Sequence, residues 1–174
     1  MFPILNTSGD PVAFSGRLVP WHKSKEGVKE GKYVNSSGNE NDPNNIYVKG
    51  ETLFGWNFAR AEAVRQGEVI LVEGNPDTIK MHQIGITNTV AACGTALTQK
   101  QAELLAKSVR RAVLLYDSDA AGQKATERNG RVLLEAGIMV YTLTIDGEIV
   151  DEKTGEVKKQ DPDTFFQNGD DFRE

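Results

Sequence analysis

The sequence predicts an α/β protein in which a mostly parallel sheet is flanked by helices and preceded by a smaller, mixed α+β part. Two observations predict this fold class. Helix-like and strand-like segments alternate from about residue 57 to residue 144, which is typical of a parallel sheet covered by helices. The chain before them consists of short apolar runs between turn-rich and polar stretches. We therefore divide the chain into residues 1–66 and residues 67–174.

The first part is predicted to begin with a β-hairpin and to continue in loops. Two apolar runs, at 3–5 and 12–14, flank a turn-rich segment. Residues 21–45 are polar and rich in Gly, Asn, Ser and Lys, and only Tyr33-Val34 interrupts them. This composition favours loops around one short strand.

The second part is predicted to arrange its helices and strands as a doubly wound sheet. Typical capping residues mark several helix ends, with Thr98 at a start and Gly85 and Gly137 at ends. A polar hairpin near 146–159 follows the last strand. The predicted helices cover 57–66, 76–83, 98–107 and 120–136, and the predicted strands cover 69–72, 89–92, 112–116 and 138–144.

The composition excludes several classes of protein. The chain has no apolar run near the roughly 20 residues that span a bilayer, and its start lacks the basic and apolar regions of a signal peptide. We therefore expect a cytoplasmic protein with no membrane partner. The single cysteine, Cys93, and the two histidines exclude an internal disulfide and a zinc-finger site, so we expect no zinc.

The net charge of −5 is unevenly distributed along the chain. Residues 1–66 carry eight Lys and Arg against seven Asp and Glu, whereas residues 67–174 carry twelve against eighteen. An acidic part beside a less acidic one suits carboxylates that hold cations, which in turn hold phosphates. Many ordinary acidic proteins share these numbers, so the charge alone does not decide the function.

Acidic residues directly follow two of the predicted strands. Glu73 comes after one apolar run, and Asp117 and Asp119 come after another. Because ligands of α/β sheets gather at the carboxyl ends of the strands, we expect these side chains at one edge. A third pair, Asp161 and Asp163, follows the last strand and the hairpin. Converging carboxylates repel one another, and hard oxygen ligands favour Mg²⁺ or Mn²⁺ as the cation that relieves this repulsion.

This set of acids predicts metal-assisted phosphoryl transfer, since two cations about 4 Å apart bind both the attacking and the leaving oxygen. Gly74 and Gly122 would let phosphate or metal approach the backbone. Structural interpretations stay open beside this one. Asp119 is also suited to cap the following helix, and Asp161 and Asp163 flank a proline in an ordinary turn sequence.

The order of these motifs resembles the Toprim pattern, in which a strand followed by Glu-Gly precedes a strand followed by Asp-x-Asp and then a further acid pair. The neighbouring motifs narrow the resemblance to DnaG-type primases, over nearly the whole chain. In order they are Phe2-Pro3-Ile4, Ser15-Gly16-Arg17, Lys32-Tyr33-x-Asn35-Ser36, Lys49-Gly50, Leu53-Phe54-Gly55, Val72-Glu73-Gly74-x-x-Asp77, His82-Gln83-x-Gly85-Ile86, Gly94-Thr95-Ala96-Leu97-Thr98, Tyr116-Asp117-x-Asp119-x-Ala121-Gly122 and Asp161-Pro162-Asp163.

The resemblance implies a fold, a reaction and partners. Residues 67–174 would form a Toprim domain, a Rossmann-like sheet with a hairpin insertion near 146–159, and residues 1–66 would be part of the core subdomain before it. The implied activity is that of a DNA primase, a DNA-directed RNA polymerase that makes short RNA primers on single-stranded DNA during replication. Such an enzyme uses Mg²⁺ or Mn²⁺ at two or more sites, and it binds the template, ribonucleoside triphosphates and the RNA–DNA hybrid.

The resemblance also implies roles for individual residues. Three acids would be catalytic, with the first as general base or metal-linked acid: Glu73, Asp117 and Asp119. The metal ligands would be Glu73, Asp117, Asp119, Asp161 and Asp163, supported by Asp77, Gly74 and Gly122. The residues implied to line the groove for template, nucleotide phosphates or hybrid are Arg17, Lys32, Asn35 and Lys49. Lys124 and Arg128, four residues apart on a predicted helix, are interpreted as an exposed face.

The chain departs from the pattern of the family beside the acids. Asn75-Pro76 stands where an aromatic residue and Met are usual, and Ser118 stands where Gly is common. The family also has an N-terminal zinc-binding module and a C-terminal helical region that contacts the replicative helicase. We expect neither in this sequence, and therefore weak primer synthesis, or none, from this chain alone.

Other functions would use the same acids. A Toprim nuclease or strand-cleaving enzyme shares the metal chemistry, but a topoisomerase needs a nucleophilic tyrosine outside the Toprim domain. A nucleic-acid-binding Toprim module without turnover is a second alternative, which the full set of acids disfavours. A phosphatase that uses Asp117 and Asp119 as nucleophile and acid would need a nearby lysine and a further acid pair in another order.

Overall fold

The computed structural model describes residues 1–19, 33–36, 45–93, 96–144, 148–150 and 157–159. Three residues of the predicted site, Lys32, Asp161 and Asp163, lie outside the described residues, as do Gly94-Thr95 and the turn of the predicted polar hairpin. None of the helices in the described part of the chain has both the length and the apolar character needed to cross a membrane.

The first part of the chain forms a small antiparallel sheet. Strands β1 (Phe2–Leu5), β2 (Pro11–Arg17) and β3 (Tyr33–Asn35) lie side by side in that order. The turn between β1 and β2 closes because the side-chain carbonyl of Asn6 accepts hydrogen bonds from two backbone N–H groups of the turn, both at 2.9 Å. The predicted hairpin and the predicted short strand after it are confirmed.

The second part is built around a five-stranded sheet with the order β4-β6-β5-β7-β8. Strands β5 to β8 are parallel, and β4 pairs antiparallel with β6. Its elements are β4 (Leu53–Phe54), α1 (Trp56–Gln66), β5 (Glu68–Val72), α2 (Asn75–Gln83), β6 (Thr89–Ala92), α3 (Gln99–Ala106), β7 (Arg111–Leu115), α4 (Ala120–Glu135) and β8 (Met139–Leu143). The predicted polar hairpin is present as the antiparallel pair β9 (Glu148–Val150) and β10 (Val157–Lys159).

The helix ends show the predicted capping. The Thr98 hydroxyl accepts the backbone N–H of Gln101 at 3.2 Å, and the Gln101 side-chain carbonyl accepts the backbone N–H of Thr98 at 3.0 Å. This reciprocal pair is a capping box at the start of α3. Gly137, after α4, has a φ of 81°, a left-handed conformation that glycine adopts without steric strain.

The prediction lacks one strand, β4, at the edge of the main sheet. Its residues Leu53 and Phe54 pair with Ala92 and Ala91 of β6. A strand of two residues has no periodicity of its own, and its pairing joins distant parts of the sequence. Because β4 and α1 both precede residue 67, the main sheet begins before the predicted boundary.

The hydrophobic core has two parts, one on each face of the main sheet. Successive residues of the central strands β5 and β7 belong to one part and the other in turn. Leu71 and Leu114 pack with buried residues of α1, α3 and α4. Their neighbours Val72 and Leu115 pack with the other cluster, which contains Ile4 of the small sheet and buried residues of α2 and β6. Successive strand residues point to opposite faces, so helices cover one face and α2 with the small sheet covers the other. This packing fixes the small sheet beside the main one.

Candidate functional site

Two predicted acids meet where β5 and β7 end. The two strands are parallel neighbours, and Val72 is paired with Leu115. The residues that follow therefore leave the sheet side by side. The backbone N–H of Asp117 donates a hydrogen bond to Glu73 Oε1 at 3.0 Å. The structure thus brings Glu73 and Asp117 together at the carboxyl edge of the main sheet, which we call the acid edge.

Asp119 lies at the start of the next helix and caps it. Its Oδ1 accepts the backbone N–H of Gly122 at 2.7 Å. The capping interpretation of Asp119 is therefore correct as a description of its contact. It does not remove the residue from the site, because a carboxylate has about four lone-pair positions and this contact uses one of them. The negative charge also suits the N-terminus of α4.

Gly122 lets helix α4 approach the acid edge. A Cβ atom at this position would lie 2.0 Å from the main-chain oxygen of Asp117 and 3.0 Å from Glu73 Oε1. Any side chain would therefore require the backbone to move. Glycine is needed here because the helix approaches the Asp117 main chain and Glu73 closely. The predicted role of Gly122, which is to let phosphate or metal approach the backbone, stays a prediction.

Asp77 and Gly74 hold the turn that follows Glu73. The Asp77 carboxylate accepts the backbone N–H of Gly74 at 2.9 Å, and the Thr78 hydroxyl donates to the main-chain oxygen of Gly74 at 3.1 Å. These bonds anchor the start of α2 directly after β5. The structure gives Asp77 a supporting contact within this turn.

Asn35 and Lys49 reach the neighbouring strand end. The Asn35 amide donates to the main-chain oxygen of Cys93 at 2.7 Å, directly after β6. Lys49 lies shortly before β4, which runs antiparallel to β6 with Leu53 opposite Ala92, so the chain before Leu53 extends past this same end of β6. Because β6 pairs with β5, this group adjoins the acid edge. By contrast, the described contact of Arg17 is a cation–π contact with Tyr33, at 5.7 Å from its ring centroid.

Asn35 carries an unusual polar atom. Its side-chain oxygen is buried and has no hydrogen-bond partner among the described residues. A buried acceptor without a partner costs about 1–3 kcal/mol, so such an atom calls for a donor from a ligand, water or another part of the chain.

A cavity of about 220 Å³ opens beside the acid edge. Four of its lining side chains are polar: Glu73, Tyr116, Arg128 and Asn129. Burial raises the pKa of Tyr116 to about 12, and the hydrogen bond from Asn129 partly opposes that rise. Lys124 and Arg128 are both exposed, as the sequence interpretation has them, and Arg128 also lies at this cavity. The sequence analysis misses Tyr116 and Asn129 as site residues, although an asparagine on the buried face of α4 is a signal that could have been noticed.

The described residues offer oxygen donors for a cation but no complete site. Within the described ranges, no three His, Cys, Asp or Glu side chains form a group that could hold a metal. The carboxylates of Glu73 and Asp119 and the main-chain oxygen of Asp117, all beside Gly122, are hard donors of the kind that Mg²⁺ and Mn²⁺ prefer. The residues present therefore fit such an ion, with further ligands from elsewhere.

Comparison with known proteins agrees with the motifs. Residues 67–144 match the family model of the Toprim domain, and residues 1–60 match that of the DNA primase catalytic core, N-terminal domain. The DNA primase of Clostridium acetobutylicum is 38% identical over 168 residues, which are 96% of this chain and 26% of that protein. The chain thus spans about a quarter of the length of this curated relative.

Solved structures lead to the same family. The Aquifex aeolicus primase, with zinc-binding and RNA polymerase domains, matches with a TM-score of 0.78 and 36% identity, over 94% of this chain and 35% of that one. A DnaG primase catalytic domain bound to ssDNA matches with a TM-score of 0.71 and 27% identity, over 95% of this chain and 47% of that one. The chain therefore belongs to the DnaG-type DNA primases and corresponds to a part of their catalytic core that includes the Toprim domain.

Proposed function

We propose that this chain is the catalytic part of a DNA primase, which makes short RNA primers on a single-stranded DNA template by nucleotidyl transfer. The observation that carries the proposal is the hydrogen bond from Asp117 to Glu73, which joins the two strand ends into one acidic site. Family membership and the structure of a relative bound to ssDNA support the choice of reaction and template.

The proposed cofactor is Mg²⁺ or Mn²⁺ at two or more sites, held by Glu73, Asp117, Asp119, Asp161 and Asp163. When bound, these cations would neutralise charge on the triphosphate and on the attacking oxygen. In the reaction, the 3′-hydroxyl oxygen of the primer attacks the α-phosphorus of a ribonucleoside triphosphate, and pyrophosphate leaves. Glu73 takes the hydroxyl proton as general base. Its bond to the Asp117 N–H orients the carboxylate for that task.

The basic residues Arg17, Lys32 and Lys49, together with Asn35, are proposed to hold the nucleic acid and the nucleotide. Lys49 and Asn35 adjoin the acid edge, and the unpartnered oxygen of Asn35 would accept a hydrogen bond there. Arg17 and Lys32 are proposed to contact template phosphates or the RNA–DNA hybrid.

We use the term parent protein for a full-length primase that contains this chain. The replicative helicase is proposed to bind a region of the parent protein outside this chain, and the proposed location is the cytoplasm. We also propose that residues 67–174 form the Toprim domain, with the polar hairpin as an insertion. Residues 1–66 would belong to the core subdomain before it, although they also supply the edge strand β4 to the main sheet.

Metal binding tests the site without requiring an intact polymerase. We would titrate Mn²⁺ into this chain and follow unbound Mn²⁺ by electron paramagnetic resonance. Glu73→Gln is expected to weaken binding at least about tenfold. The matched control is Glu68→Gln, at the opposite end of β5, where Glu68 forms an ion pair with Arg111 at 3.1 Å. No Mn²⁺ binding by the wild-type chain, or equal binding by Glu73→Gln, would contradict the proposal.

Primer synthesis tests the reaction class. Template-dependent incorporation of labelled ribonucleotides is expected from the parent protein, with weak or absent synthesis from this chain alone. In the parent protein, Glu73→Gln should lower the rate by about a hundredfold or more, as loss of a general base does. Metal-dependent cleavage of the template without incorporation would instead favour the Toprim nuclease.

A further inference from the structure

Asn129 occupies a position on α4 where an apolar residue would be expected. It is only 4% exposed, and its helix neighbours Gly130 and Leu133 are also buried. A buried amide is unfavourable unless its donors and acceptors are satisfied. The side-chain oxygen and nitrogen of Asn129 both form hydrogen bonds with residues outside α4. Asn129 therefore links α4 to other parts of the chain in addition to filling space in the core.

The contacts of Asn129 define the orientation of its amide. Its side-chain carbonyl accepts the backbone N–H of Leu97 at 3.2 Å, and its amide nitrogen donates to the Tyr116 hydroxyl at 2.8 Å. The Leu97 N–H is only a donor, so the atom that faces it must be oxygen. The amide N–H₂ therefore faces Tyr116. The Tyr116 hydroxyl accepts this bond, and Tyr116 lines the same cavity as Glu73.

Three segments around the acid edge are joined through this one side chain. Asn129 lies on the helix that begins after Asp119, and Tyr116 directly precedes Asp117. Leu97 directly precedes Thr98, the residue that caps α3. Because the Asp117 backbone N–H is the donor to Glu73, a shift of the Tyr116 main chain would move the hydrogen bond that joins the two acids.

We infer that Asn129 is a positioning residue for the acid edge, which acts through Tyr116 to hold the Asp117 backbone against Glu73. This inference rests on the proposed metal-binding function of those acids. Asn129 does not touch the reacting atoms in this role. It fixes the residue before the metal ligand, as outer groups around metal sites commonly do, with effects of about 10–100-fold on metal affinity.

A second buried asparagine provides a matched control. Asn88 is 2% exposed, and its amide donates to the main-chain oxygen of Glu68 at 3.2 Å. It directly precedes β6 and so lies at the amino edge of the parallel strands, opposite the acid edge. Asn88→Ala should therefore destabilise the fold much as Asn129→Ala does, without moving the acids.

The experiment compares three variants of this chain, Asn129→Ala, Tyr116→Phe and Asn88→Ala, at a temperature where each is folded by circular dichroism. Mn²⁺ affinity is measured by electron paramagnetic resonance, and exchange of the Asp117 amide by NMR. Asn129→Ala is expected to weaken Mn²⁺ binding about tenfold and to accelerate Asp117 exchange about tenfold. Tyr116→Phe, which removes only the hydroxyl, should act in the same direction, and Asn88→Ala should change neither quantity.

Each outcome decides the inference. If the wild-type chain binds Mn²⁺ and Asn129→Ala binds it equally well, or Asn88→Ala weakens binding as much, the positioning role is wrong. If the wild-type chain binds no Mn²⁺, the proposed function fails. The positioning role of Asn129 is then tested only by the hydrogen exchange rate of the Asp117 amide. Faster exchange only in Asn129→Ala and Tyr116→Phe then supports positioning, and unchanged exchange overturns it. If Asn129→Ala does not fold, Tyr116→Phe carries the test by the same criteria.

Discussion

Two glycines of α4 make opposite predictions for the same substitution. At Gly122, an added Cβ would lie 2.0 Å from the Asp117 carbonyl oxygen, whereas ordinary contact begins at 3.4 Å. The start of α4 would have to retreat by over an ångström, which also disturbs the Asp119 cap. Overpacking costs about 1–3 kcal/mol and a lost cap about 1 kcal/mol, against a helix-propensity gain of about 1 kcal/mol for alanine. We expect Gly122→Ala to lower the free energy of unfolding by about 2 kcal/mol.

Gly130→Ala is the control within the same helix. Its Cβ would lie 3.6 Å from a Leu114 methyl carbon and 3.8 Å from a Val140 methyl carbon, which is ordinary packing. This variant should raise the free energy of unfolding by about 0.5–1 kcal/mol. Urea unfolding followed by circular dichroism at 25 °C measures both variants. A Gly122→Ala variant as stable as Gly130→Ala would refute the close approach of α4 to the acid edge.

Further predictions concern the cap of α3 and the loss of stability at alkaline pH. Thr98→Ala removes the hydroxyl that accepts the Gln101 N–H, so the free energy of unfolding should fall by about 1 kcal/mol in urea titrations; no change would mean that the cap is dispensable. Burial raises the pKa of Tyr47 above its ordinary value of 10, so the folded chain holds this proton more tightly than the unfolded chain. Its contribution is complete below pH 10 and is lost as the pH rises further. Urea midpoints at pH 8 and pH 11 should therefore differ less in Tyr47→Phe than in the wild type, and equal differences would contradict the burial effect.

Local patterns are sufficient to predict the elements that carry their own signals. Thr98 and Gln101 form the capping box at the place where the sequence predicts a helix start, and Gly137 ends α4 as expected. The edge strand β4 has no such signal, because Leu53 and Phe54 become a strand only through pairing with β6. The main sheet therefore begins earlier than alternation of helices and strands indicates.

The same limit applies to the site. Asp119 caps α4 in a conformation that would also allow its carboxylate to bind a metal ion. Its local sequence therefore cannot distinguish a capping role from a ligand role. Asn129 is recognisable only when Tyr116 and Leu97 are known to lie against it. Both cases depend on contacts between elements distant in sequence, which periodicity does not encode.

The meeting of Glu73 and Asp117 depends on the register of β5 against β7. Alternation does not set that register, because both faces of these strands are buried and a slip by one residue would still place apolar side chains inside. Hydrogen bonds at the two ends of the strands favour the observed register over a shifted one. At the amino ends, the Gly67 carbonyl accepts the backbone N–H groups of Arg110 and Arg111, each at 3.1 Å. At the carboxyl ends, Asp117 donates to Glu73. The bond that assembles the candidate active site is thus also one of the bonds that align the central strands, so the fold and the site constrain each other through the same residues.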